Sequence, residues 1–126
     1  THTWNNIRAI FNPDGMGVLN WIDTTLHVNL MKNDQFRDEF IRRYALYTNT
    51  IFSPDRLLPI YDAMVAEIES EMPRQKERWP SYWGSWELHV EFVRDIIIEK
   101  PELEKAHLQS FFGLSDEEMQ DLFPDD

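Results

Sequence analysis

The chain has 126 residues, 42 % of them hydrophobic and 13 % aromatic, so it has the length and apolar content of one folded domain rather than a disordered segment. Its 23 acidic and 12 basic residues give a formal net charge of −11, which disfavours nucleic acid and anionic membrane surfaces as partners. The absence of cysteine excludes disulfides and thiolate metal sites, and no apolar run approaches the roughly 20 residues that would insert across a membrane.

Apolar residues in the first third of the chain recur at helical spacing. We predict a short helix over Thr3 to Phe11, ended by the turn signal Asn12-Pro13-Asp14-Gly15, and a second helix over Met16 to Met31. Asn33 or Asp34 then caps a third helix. The apolar residues of this third helix are Phe36, Phe40, Tyr44, Tyr47 and Ile51.

Ser53-Pro54 is the strongest helix start in the sequence. Ser53 is a capping residue, and a proline suits the first helical position because its missing N–H would be unpaired there. One face of the helix that follows is apolar: Leu57, Tyr61, Met64, Val65, Ile68 and Met72. We expect this face to be buried against the helix that carries Phe40 and Tyr44.

The last third is predicted to be irregular over residues 73–85 and helical beyond them. Spacing favours a helix over Trp86 to Lys100, and Pro101 is expected to open the next helix. Gly113 is the expected left-handed cap, closed by Leu114 against Leu108, and Ser115 with Glu118 forms a capping box. We therefore predict an all-α, single compact domain of six or seven helices over residues 1–126.

No catalytic or metal-binding constellation is recognisable in the sequence. The four histidines, His2, His27, His89 and His107, have no ligand spacing, and there is no phosphate-binding loop or nucleophile elbow. We expect no catalytic residue, no cofactor site and no metal site in this chain. An enzyme that uses scattered carboxylates stays open as the weakest alternative, because no pair of carboxylates can be assigned acid and base roles without a pocket.

A Trp-rich corner is the main candidate site. We define it by six residues: Glu71, Arg74, Arg78, Trp79, Trp83 and Trp86. Read as structure, the aromatics fill a joint between two helical segments, with an arginine paired to Glu71. Read as function, they form a platform on which a stand-alone binding module holds carbohydrate or peptide. We favour the joint, because the aromatics are interleaved with proline and glycine rather than spaced along one face. Exposure of at least two of Trp79, Trp83 and Trp86 with coplanar rings would favour the platform, and their burial would favour the joint.

The order and spacing of several motifs resemble the C-terminal part of the CotH family of spore coat protein H-like atypical protein kinases. The first motifs are Phe36-Arg37, Arg43-Tyr44 and Asn49-Thr50-x-Phe52. They continue with Glu71-Met72-x-Arg74, Arg78-Trp79, Pro101, His107-Leu108 and Phe112-Gly113-Leu114. The resemblance covers about residues 16–115, and residues 116–126 match least.

The resemblance implies ATP-dependent transfer of phosphate onto protein by a full-length family member that uses ATP and a divalent metal. The family's lysine and aspartate motifs match no position here, so no catalytic residue is carried over, and the chain is expected to be a fragment of a longer polypeptide. Its implied role is a helical subdomain that supports the catalytic lobe. Its implied partners are the remainder of its own polypeptide and a protein substrate, in a bacterial spore coat or an exported or cell-surface setting.

Overall fold

A computed structural model describes residues 3–11, 23–80 and 85–124 of the chain. These residues form seven helices and no strand, which confirms the all-helical prediction; the single-domain organisation over residues 1–126 stays a prediction. The helices are α1 (Asn6–Phe11), α2 (Thr25–Leu30), α3 (Asp34–Asn49), α4 (Pro54–Glu69), α5 (Met72–Arg78), α6 (Trp86–Phe112) and α7 (Asp116–Leu122). The turn predicted at Asn12 to Gly15 and the first part of the helix predicted from Met16 lie outside the described residues.

Helix starts follow the predicted capping residues in most cases. The Asn33 side chain accepts a hydrogen bond from the Phe36 N–H at 2.9 Å, so it satisfies one of the unpaired donors at the start of α3. Helix α4 begins at Pro54 as predicted. The Ser53 side chain does not cap it, because the Ser53 hydroxyl instead donates to the Thr50 carbonyl at 3.1 Å.

Two predictions about prolines are wrong. Residues 73–85 are predicted to be irregular, but α5 extends to Arg78, so the prediction is wrong over residues 73–78 and holds at residues 79–80 and 85. Pro73 lies in the first turn of α5, where a helix tolerates proline because that N–H has no partner. Pro101 does not open a new helix, since α6 runs through it for 27 residues. Because Pro101 has no N–H, one backbone hydrogen bond of α6 is missing. Salt bridges from Lys100 to Glu104 and from Lys105 to Glu102 stabilise the turn around this position.

The end of α6 and the start of α7 were predicted closely. Gly113 adopts φ 65°, a left-handed conformation that costs glycine little, and the Leu114 N–H closes the helix on the Gln109 carbonyl at 3.1 Å. Ser115 and Glu118 form the reciprocal capping box. The chain therefore turns sharply after α6 and lays α7 back against α3.

The buried core lies where α1, α3, α7 and the C-terminal half of α6 meet. Its buried members are Ile7, Ile41, Ala45, Leu108 and Phe123. Around them pack half-buried aromatic rings, including Phe40, whose centroid lies 5.0 Å from that of Phe11 in an edge-to-face arrangement. Phe123 follows α7 and is buried, so the chain is part of the packed core up to this residue.

Helix α4 packs on α6, and the prediction that it packs against α3 is wrong. The Tyr61 hydroxyl donates to the Val90 carbonyl at 3.0 Å, and Arg94 pairs with Asp62 along the same seam. The predicted burial of the whole apolar face is also wrong, because Met64 and Ile68 are 62 % and 48 % exposed. The other four predicted residues, Leu57, Tyr61, Val65 and Met72, are partly buried.

Helix α6 serves as the centre of the fold, since α1, α3 and α4 all contact it. Despite its length it carries charged residues throughout. Among the helices that the structure describes, none combines the length and the apolar character needed to cross a membrane.

Candidate functional site

The Trp-rich corner is built by α5 and the first turn of α6. Arg74 and Glu71 lie three residues apart on the helix, and their side chains are 3.9 Å apart at the surface. The Arg78 guanidinium stands 5.5 Å from the centre of the Trp79 ring, within cation–π range. The predicted ion pair between an arginine and Glu71 is therefore present, although an exposed pair of this kind contributes little to stability.

The joint interpretation requires a buried Trp79 indole, and the structure does not have one. Trp79 ends α5 with a 52 % exposed side chain, whereas Trp86 is partly buried at the start of α6. Trp83 lies outside the described residues. Of the two tryptophans that can be compared, one faces solvent and one is packed, so the choice between joint and platform stays open.

A cleft of about 370 Å³ separates the end of α4 and the start of α5 from the start of α6. Met72, Pro73 and Trp86 supply its apolar wall, and Lys76 and Glu87 supply opposite charges. The pKa of Glu87 is lowered, first by hydrogen bonding to its own backbone N–H and to Ser85, and then by the positive charge of Lys76. Trp86 therefore borders a surface cleft of mixed apolar and polar character.

A second cleft, of about 320 Å³, opens between α3, the start of α4 and the middle of α6. Its walls include the exposed rings of Tyr47 and Phe52 and the aliphatic side chains of Leu57 and Ile97. Its volume is at the lower end of the range for small-molecule pockets, which is roughly 300–1,000 Å³. The polar end of this cleft contains residues that the sequence analysis did not predict as a site.

That polar end holds the buried carboxylate of Glu104 with three residues around it: Tyr44, Lys100 and His107. We call these four residues the Glu104 cluster. The Tyr44 hydroxyl donates to Glu104 Oε2, and Lys100 Nζ lies 2.8 Å from Oε1. His107 Nδ1 lies 3.7 Å from Oε2, too far for a hydrogen bond. Lys100 also donates to the Trp4 carbonyl at 2.6 Å, so the cluster connects three segments of the chain.

The electrostatics of the Glu104 cluster favour a structural role. Burial raises the pKa of Tyr44 far above its ordinary value of 10.0, and the hydrogen bond to the Glu104 carboxylate raises it further. Tyr44 therefore stays a neutral hydrogen-bond donor at any physiological pH, and Lys100 balances the Glu104 charge.

The spacing of residues along α6 contains a signal for Glu104. The inward positions of α6 continue the spacing of Ile97 and Pro101 to Glu104 and Leu108, at steps of four, three and four. A carboxylate at a position reserved for an apolar side chain must find partners, because an unpaired buried charge is very costly. Tyr44 could not be identified as its partner from sequence, since 60 residues separate the two.

Exposed apolar side chains are the third notable surface feature. Helix α4 exposes Ile60, Met64 and Ile68, which recur every fourth residue along one edge of the helix. Helix α6 exposes Leu88 and Phe92, also four residues apart, with 69 % and 47 % of their side chains accessible. Large apolar rows of this kind commonly mark surfaces that another protein surface covers.

The sequence matches the family model CotH, described as CotH kinase protein, over residues 2–103. The chain belongs to the CotH kinase family. Neither the curated proteins nor the solved structures give a significant match. This membership confirms the family resemblance, while the motifs His107-Leu108 and Phe112-Gly113-Leu114 lie beyond the matched residues.

ATP and a divalent metal, which family membership implies, have no fitting site among the residues described. Over residues 3–11, 23–80 and 85–124 no group of three or more His, Asp or Glu side chains is placed to hold a metal ion. Both clefts have mainly apolar walls, and the carboxylate of the second is already paired. No catalytic step is therefore derived from these residues.

Proposed function

We propose that this chain is the helical C-terminal subdomain of a CotH-like protein kinase and that it supports the catalytic lobe without being catalytic itself. The observation that carries the proposal is the pair of exposed apolar rows on α4 and α6, in a chain that belongs to a kinase family. Apolar side chains exposed on two adjacent helices are unfavourable in water. Their burial against another part of a protein lowers the free energy. In a kinase of this family, the nucleotide-binding part of the same polypeptide would bury these apolar rows.

Amide hydrogen exchange tests this proposal. Exchange at α4 and at residues 86–99 of α6 is measured in the 126-residue chain and in the full-length kinase polypeptide. We expect slower exchange in the full-length protein at these two segments, and unchanged exchange at α7, which is packed on its own core. Equal exchange in the two proteins at α4 and α6 would contradict the proposal.

Nucleotide binding gives an independent measurement. The 126-residue chain alone should show no saturable binding of ATP and Mg²⁺ by calorimetry at micromolar affinity, whereas the full-length kinase should bind. The reason is that phosphoryl transfer requires a phosphate-cradling element and a metal-binding carboxylate. Saturable binding by the short chain would place a nucleotide site within it.

A second candidate function is a binding module for carbohydrate or peptide at the Trp-rich corner. The exposure of Trp79 and its contact with Arg78 favour this alternative, since an exposed indole is suited to stacking. A glycan and peptide array probed with the wild-type chain and with Trp79→Ala decides it. Binding that is lost in Trp79→Ala, while the melting temperature is kept, would support the module.

A further inference from the structure

Four neighbouring residues on the outer side of α6 combine apolar and acidic side chains. Leu88 and Phe92 form one row, and Glu91 and Asp95 form a parallel row beside it. Each residue of one row lies three or four positions from a residue of the other, which is the spacing of side-chain neighbours on a helix. All four are exposed. We call them the α6 quartet.

The acidic row extends in both directions along the helix. Glu87, Glu91, Asp95 and Glu99 follow one another every fourth residue, so like charges are adjacent along the exposed face. No residue in the described ranges forms an ion pair with Glu91 or Asp95. The nearest basic residue in sequence, Arg94, is already paired with Asp62 of α4. This arrangement opposes helix stability in the isolated chain.

We propose that the α6 quartet is a docking surface for a part of the kinase polypeptide outside residues 1–126 that presents apolar side chains beside lysines or arginines. The inference rests on the proposed function and adds to it the chemistry of the contact. Leu88 and Phe92 would insert between apolar side chains of the catalytic lobe. Basic residues at the edge would neutralise Glu91 and Asp95, because complementary charges fix the register of an interface.

Charge argues against a second copy of this chain as the occupant. A two-fold symmetric dimer brings the same patch of both subunits together, so the two acidic rows would face each other. The chain as a whole has a net charge of −11, which adds to the repulsion. A surface that carries apolar side chains beside lysines or arginines would bury the apolar row and neutralise the acidic row. A second copy of the chain would bury only the apolar row.

The test uses the full-length kinase and reverses the charge of the acidic row. Glu91→Lys with Asp95→Lys is compared with a matched control, Glu117→Lys with Asp121→Lys, which reverses two exposed acids on α7. We expect hydrogen exchange at residues 86–99 to become at least tenfold faster in the α6 variant and to stay unchanged in the control. Raising the salt concentration from 0.05 to 0.5 M should accelerate the same amides in the wild type, because salt screens charge pairs at a rim.

The outcomes separate this inference from the proposed function. If the full-length protein protects α6, but neither charge reversal nor salt alters that protection, the contact is apolar only and the inference is wrong while the proposed function stands. If full-length protein leaves α6 unprotected, both fail. Dimerisation of the wild-type chain through the quartet, detected by sedimentation and abolished by Leu88→Ser, would also overturn the inference. Thermal melts of the isolated variants verify folding, which the charge reversal should not impair.

Discussion

The two ends of the molecule are built in different ways. At one end, α1, α3, α7 and the last turns of α6 surround Leu108 and Phe123, whose side chains are 0 % and 3 % exposed. At the other end, α4 and α5 contain no buried residue, and neither does the part of α6 before Glu104. The first end has a core of its own. At the second end, α4 and the first part of α6 pack together but bury each other's apolar faces only in part.

This difference shows which contacts the chain supplies itself. The packed end is closed by local devices, namely the Gly113 cap and the Ser115 capping box, together with apolar burial. The open end has good helix signals and a seam held by Tyr61 and Arg94. Many of its other large apolar side chains are nevertheless exposed, among them Met64, Ile68 and Leu88. We interpret the packed end as the part that folds alone. Under the proposed function, the open end is the part that the catalytic lobe would cover.

The largest expected effect comes from truncating the packed end. Phe123→Ala removes a buried ring that contacts the core and lies 5.1 Å from the Lys105 ammonium group, so it should destabilise the chain by about 3–5 kcal/mol. Chemical denaturation of the isolated chain measures this change. An effect under about 0.5 kcal/mol, typical of a surface position, would show that the C-terminal tail is not part of the core.

The next effect tests the junction between the two ends, where Tyr44 meets Glu104. Tyr44→Phe deletes the hydroxyl that donates to a buried carboxylate, and such hydrogen bonds are worth about 1.5–3 kcal/mol. We expect a loss of that order in the denaturation free energy. Tyr47→Phe is the matched control, because Tyr47 is exposed and should change stability by less than about 0.5 kcal/mol.

The pH dependence of Tyr44→Phe provides a second readout of the same contact. The pKa of Tyr44 is raised in the folded state above its ordinary value of 10.0, so its contribution to stability is complete below pH 10. As the pH rises above 10, the unfolded chain ionises first and the contribution decreases. The stability difference between wild type and Tyr44→Phe should therefore shrink above pH 10, and a constant difference would contradict the assigned hydrogen bond.

The sequence predicted the packed end better than the open end, for a physical reason. Capping at Asn33, Gly113 and Ser115 depends on residues within a few positions, so local sequence specifies it. The pairing of Tyr44 with Glu104 and the packing of α4 on α6 depend on distant residues, which periodicity alone does not identify. An apolar stripe indicates that one face of a helix becomes buried. It does not indicate whether the same chain or another part of the protein buries that face.

A smaller effect is expected at the Trp-rich corner. Because about half of the Trp79 side chain is exposed, Trp79→Ala should cost about 1 kcal/mol in the isolated chain, well below the roughly 3–5 kcal/mol of a buried tryptophan. Thermal and chemical denaturation measure the change. A loss of more than about 3 kcal/mol would assign Trp79 to a buried joint and would extend the packed region to α5.

The smallest effect is expected at the open end, and it should depend on how much of the kinase is present. Ile68 is 48 % exposed, and alanine is the better helix former, so Ile68→Ala should change the stability of the isolated chain by less than about 1 kcal/mol. In the full-length kinase the same substitution should cost more, about 2–5 kcal/mol, if the catalytic lobe covers this edge of α4. Glu117→Ala, on the exposed side of α7, is the control that should change neither protein. Equal effects of Ile68→Ala in the two proteins would mean that the lobe leaves α4 uncovered and that the contrast between the two ends persists in the intact kinase.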